Sequence, residues 1–160
     1  MMGETAGIEI LVDVSVHDPD WPKDYAGLAE KVIRDAARAV PAVWTGPGEI
    51  SVVLTDDSEQ KVLNARYRGK KTPTNVLSFP QIEPFAPVSG LLGDIVVARE
   101  TVFAEALEMG LATKDHFSHL IVHGFLHLLG YDHVDDSDAA LMEGIETKIL
   151  AGMGIADPYG

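Results

Sequence analysis

Three histidines in the run His123-Gly-Phe-Leu-His127-Leu-Leu-Gly130-Tyr-Asp132-His133 have the spacing of a metal site. Residues four apart on a helix lie one turn above the other on one face, so His123 and His127 present their rings to the same side. A glycine three residues later ends a helix readily by taking the left-handed conformation, and the chain then turns back to bring His133 to that side. Three imidazoles with one coordination position left open is the arrangement of a catalytic zinc, whereas structural zinc sites are closed by four protein ligands, mostly thiolates. The chain has no cysteine. A single histidine in an apolar helix is ordinarily a core residue, but packing does not account for three at this spacing with a helix-ending glycine among them.

The same spacing occurs in metzincin proteases, which place a general-base glutamate directly after the first histidine. Gly124 stands there in this chain. A peptidase of that type would lack its proton acceptor, so the ligand geometry points to other chemistry. His116 and His119 extend the stripe, but four imidazoles along a straight helix cannot all reach one ion. These two read as polar-face groups or groups that support the ligands. Asp132, adjacent to a ligand, reads as a turn or supporting residue, and Tyr131 as either a packed aromatic or a proton donor.

Bulk properties set the frame. The 160 residues suit one domain with a sizeable core, and 46% apolar with 23% charged residues is an ordinary soluble composition. The N-terminal residues lack a signal-peptide pattern and no stretch is long enough to cross a membrane, so a cytoplasmic protein is expected. A net charge of −13 opposes non-specific binding to polyanions. Of the 12 Lys and Arg residues, however, Lys61, Arg66, Arg68, Lys70 and Lys71 fall within one short strip. That strip is either a solvated helix end or a path for a phosphate backbone.

The elements that must position these groups follow from periodicity and punctuation. Strands are expected at 8–14, 50–55, 75–79 and 93–98, with a helix between the first two that Pro41 stops. A second helix starts in the capping-box-like Asp56…Glu59, carries the basic strip at its end and closes at Gly69. Beyond Arg99 the pattern is helical, with stops at Gly110 and Gly130, Thr113 as the expected N-cap of the histidine helix and a last helix over 138–150. The expected fold is α+β, a single domain with one mixed sheet of about four strands packed against helices and the histidine helix central on one face. The first two strands should be parallel through a right-handed crossover, and the last two antiparallel.

Two blocks, Leu63-Asn64-Ala-Arg-Tyr67-Arg68-Gly69-Lys70 with Pro73-Thr74-Asn75-Val76-Leu77-Ser78-Phe79-Pro80, and His119 to His133, resemble the YbeY family, bacterial endoribonucleases also called rRNA maturation factors. Gly93-Asp94-Ile95 and the helix from Met142 to Leu150 are similar too. The resemblance implies a single-strand-specific, metal-dependent endoribonuclease acting in ribosomal RNA end maturation and ribosome quality control. Its metal ligands fall on His123, His127 and His133, with one zinc per chain, and its functionally important arginine falls on Arg68. Implied partners are single-stranded RNA, ribosomal RNA above all, and ribosomal proteins or other assembly factors. One departure is Lys71-Thr72, where the family more often has an acidic residue followed by a lysine. Two other functions are compatible with the residues: a zinc hydrolase of peptides or small amides, and a non-catalytic, metal-stabilised protein that docks on the ribosome.

Overall fold

The computed structural model describes residues 8–69, 74–132 and 134–159, and of Arg68 the backbone only. Four strands, β1 (Ile10–Val16), β2 (Trp44–Thr55), β3 (Val76–Pro80) and β4 (Val88–Ala98), form one sheet in the order β1-β2-β4-β3. The helices are α1 (Tyr25–Ala39), α2 (Asp57–Arg68), α3 (Arg99–Met109), α4 (Thr113–Leu129) and α5 (Asp136–Gly152). The α+β reading with a four-stranded mixed sheet holds. β1 and β2 pair in parallel, β2 and β4 likewise, and β3 runs antiparallel along β4 as the edge.

Element ends differ from expectation where cooperative pairing outweighs local residue preference. β2 begins at Trp44, although Gly46, Pro47 and Gly48 would break an isolated strand, because β4 pairs with that half as well. Thr113 is the first residue of α4 and not its cap; Ala112 precedes it without a side-chain cap bond. α5 starts two residues before the expected Asp138, since Asp135 is the N-cap and accepts the Asp138 N–H at 2.8 Å. In α2 the Asp56 carboxylate caps the Glu59 N–H at 2.9 Å as expected, but Glu59 turns away to Thr55 and His17.

The core sits between the sheet and α4, α1 and α5. Phe117, Ile121, Phe125 and Leu128 of α4 are fully buried. At roughly 1.5–3 kcal/mol for each such side chain, this burial far outweighs the tendency of one helix to fray. Trp21, Tyr25 and Phe103 gather around Phe117, with Tyr25 and Phe117 at 5.0 Å between ring centroids. α4 is therefore a rigid platform, and the groups it carries keep their relative positions.

α2 lies across the sheet by polar anchors. Gln60 is fully buried and donates from Nε2 to the Val96 carbonyl at 3.0 Å, and Asn64 is also buried. Gly69, at φ 71°, ends the helix with its N–H on the Ala65 and Asn64 carbonyls.

Candidate active site

α4 ends at Gly130 for two reasons. Its φ of 114° is unfavourable for any residue with a Cβ, and a Cβ there would stand 2.8 Å from Cα of Pro84. The β3–β4 connection closes onto this turn through the Phe85 N–H, which donates to the Leu129 carbonyl at 2.9 Å. Tyr131 packs edge-on against Phe85 at 5.0 Å and is buried, so of its two expected roles the packed aromatic is the observed one. Asp132 is exposed.

Upstream of that turn, His123 and His127 stand one above the other with their Nε2 atoms 3.0 Å apart. Two imidazole nitrogens bound to one tetrahedral zinc at ~2.0–2.1 Å would lie about 3.3 Å from each other. The separation found is within a few tenths of an ångström of that value, so the pair fits a shared ion.

The other nitrogen of His123, Nδ1, is 2.5 Å from Oε2 of Glu146 on α5. Glu146 is fully buried; burial pushes its carboxyl up, but hydrogen bonds from His119, His123 and Tyr159 outweigh that and hold it down at about 2. The carboxylate is therefore ionised and accepts the Nδ1 proton of His123, which leaves Nε2 facing His127. Tyr159 donates its hydroxyl to Glu146 Oε1. His119 adds Nε2 at 3.1 Å from that hydroxyl and 3.7 Å from Glu146 Oε2. A cavity of about 220 Å³ lined by His123, Ala139, Met142, Glu143, Glu146 and Tyr159 adjoins the network.

Two groupings of ligand-type atoms thus share His123: the Nε2 pair with His127, and a cluster of His119, His123 and Glu146 within 4.8 Å of one another. The 2.5 Å contact leaves no room for an ion between Nδ1 and the carboxylate. The second grouping serves better as the support that orients His123, a common arrangement around metal-bound imidazoles.

His116 belongs elsewhere. It is buried, with Nε2 2.9 Å from Glu105 on α3, and Asn75 donates to the same carboxylate at 3.1 Å. Asn75 also accepts the Ala98 N–H on its backbone carbonyl at 3.0 Å, which fixes the start of β3 beside the end of β4. Further along β3, the buried Ser78 hydroxyl donates to the Gly124 carbonyl at 3.2 Å. The edge strand is thereby fastened to the histidine helix at the residue after His123.

Gly124 itself points at the sheet. A Cβ there would meet Ile95 Cγ2 and Ser78 Oγ at 3.1 Å each, so the glutamate that a metzincin carries would be crowded against the sheet unless these side chains gave way. Arg68 is the last residue of α2, while its side chain, like Lys70, Lys71, Thr72 and His133, lies outside the described residues. The structure therefore brings His123 and His127 together and adds His119, Glu146 and Tyr159.

Glu146 and Tyr159 escaped the sequence reading. A signal for Glu146 was present: with Met142, Ile149 and Leu150 it forms one buried stripe of α5, and an acid on such a stripe demands a partner. Tyr159 lies beyond the last helix, and no periodicity reaches it.

Among the described residues no helix is long and apolar enough to cross a membrane. The family model for Endoribonuclease YbeY matches residues 13–154. A protein of Paramagnetospirillum magneticum named Endoribonuclease YbeY is 48% identical, covering 98% of both chains. One of Rhizobium etli with the same name is 43% identical, covering 94% of both. The solution structure of TM1509 from Thermotoga maritima superposes with a TM-score of 0.60 at 27% identity, covering 88% of this chain and 87% of that one. With a family match over most of its length and relatives this similar from end to end, the chain belongs to the YbeY family of endoribonucleases.

Proposed function

We propose that residues 1–160 form one metal-dependent endoribonuclease domain that cuts single-stranded RNA in the cytoplasm, in ribosomal RNA end maturation and ribosome quality control. Its ribosomal partners would be the RNA itself with ribosomal proteins or other assembly factors. His123, His127 and His133 hold one zinc per chain, and Arg68 contacts the phosphate at the scissile bond. The observation that carries the metal assignment is the convergence of the His123 and His127 Nε2 atoms at 3.0 Å.

A bound zinc would lower the pKa of water toward neutrality and polarise a phosphoryl oxygen. The chain's own residues do the rest. Glu146 accepts the Nδ1 proton of His123 and holds the ring with its Nε2 toward His127. Tyr159 donates to the other carboxylate oxygen and His119 in turn contacts that hydroxyl, so the buried charge is hydrogen-bonded at both oxygens. Arg68 supplies a planar guanidinium suited to two equatorial phosphate oxygens at once. Gln60 and Gly69 set the position from which that side chain starts, on the helix end that leads into β3.

Incubating metal-loaded protein with single-stranded and structured RNA, beside a casein control and a His127→Ala variant purified identically, tests this reading. Cleavage of the single strand by the parent and not by the variant is the expected result. Casein cleavage would establish the peptidase function, against which the packing at Gly124 speaks. Metal binding with no cleavage of either substrate would leave a ribosome-docking protein.

A further inference from the structure

Tyr67, one residue before the end of α2, is 60% exposed, yet its ring is held in place. It stands edge-on to Phe79 of β3, with centroids 5.3 Å apart and planes at 69°. Phe79 directly follows Ser78, the residue bonded to the Gly124 carbonyl beside His123. β3 is the edge of the sheet, so no further strand covers the pair. The aromatic face of Tyr67 is thus left in solvent at the end of α2, backed by the strand that is fastened to the histidine helix.

α2 carries cations on an otherwise acidic chain, while on the sheet Phe79 has Asp94 as its cross-strand partner. Lys61 and Arg66 of α2 are exposed, and Arg68, Lys70 and Lys71 follow in sequence. Positions 61 and 68 stand two turns apart on α2 and share a side of it. Protein-docking patches are depleted in charge at their centres, whereas single-stranded nucleic acid is held by cations along its backbone and aromatic rings under its bases.

We infer that Tyr67, seated on Phe79, is a stacking platform for an unpaired nucleobase of an RNA strand whose phosphates pass Lys61 and Arg66. The inference rests on the reading that the chain binds single-stranded RNA. Stacking accepts any base, since each has a π face, so this contact would favour unpaired over paired segments without selecting sequence.

The test uses a short single-stranded oligodeoxynucleotide, which offers the same bases and phosphates without a 2′-hydroxyl, and an RNA of the same sequence. Affinities of the full chain, Tyr67→Leu and Tyr67→Phe are measured by fluorescence anisotropy, with melting temperatures and RNA cleavage on the same preparations. One stacked base contributes about 1–3 kcal/mol, so Tyr67→Leu should bind roughly 5- to 150-fold more weakly, with unchanged melting temperature and salt dependence. Tyr67→Phe should bind like the parent. Replacing nucleosides one at a time by abasic sites should reveal a position that matters to the parent and not to Tyr67→Leu. Equal affinity of Tyr67→Leu and parent, or no such position, overturns the platform and leaves the nuclease reading intact if RNA is still cut. A parent that neither binds nor cuts RNA overturns both.

Discussion

His123 donates its Nδ1 proton to a carboxylate, Glu146 Oε2 at 2.5 Å, that is fully buried between α4 and α5. The bond determines which nitrogen of His123 is available to an ion. Glu146→Gln should keep the shape of the site but cannot accept the proton in the same way. A supporting carboxylate of this kind is worth about 10- to 100-fold in metal affinity. Metal titration followed by calorimetry measures it, and an unchanged affinity would make Glu146 a packing residue alone.

His127→Ala removes one of the two converging nitrogens. Because a metal held there would bind the folded chain and not the unfolded one, loss of this nitrogen should lower both metal content and melting temperature. Chelation of the parent should reproduce the fall in melting temperature, and stoichiometric zinc in the purified variant would count against the assignment.

Variants at Arg68 test the proposed catalytic contact apart from metal holding. Arg68→Lys retains the charge and loses the planar fork, and Arg68→Ala loses both. As a transition-state contact it should be worth on the order of 10²-fold in rate, with zinc content and melting temperature nearly intact. If the side chain only covered the carbonyls at the end of α2, stability would fall and the rate per folded, metal-loaded molecule would not.

Binding of single-stranded RNA should weaken steeply with salt, each phosphate contact adding about −0.7 to the log–log slope. Replacing Lys70 and Lys71 by glutamine should flatten the slope by roughly one to two units, and Lys61 with Arg66 by a similar amount. A slope that stays the same in both double variants would return the strip to ordinary solvated surface.

Gly124→Glu restores the residue that metzincins use and should not confer peptidase activity. A Cβ there would stand 3.1 Å from Ile95 Cγ2 and Ser78 Oγ, so the side chain crowds the sheet and its neighbours must shift. A loss of at least about 1–3 kcal/mol in unfolding free energy is expected from overpacking, with the buried charge adding to it. Denaturant unfolding and a casein assay check the two halves of this expectation.

Periodicity and punctuation placed the helices and strands to within a few residues, except the first halves of β2 and of β4, which begin at Trp44 and Val88 instead of 50 and 93, and gave the parallel and antiparallel senses of the sheet. The i, i+4 spacing of His123 and His127 likewise implied a shared face, because helix geometry converts sequence separation directly into direction. Contacts between elements carry no such rule. That Glu146 reaches His123 across 23 residues, that Ser78 holds Gly124 across 46, and that Asn75 and His116 share Glu105 depended on how α3, α4, α5 and β3 pack. The sequence alone named the converging pair His123 and His127 through local geometry. Only the tertiary structure decided which nitrogen of His123 faces its neighbour, because the buried carboxylate that sets that choice is brought in by a different helix.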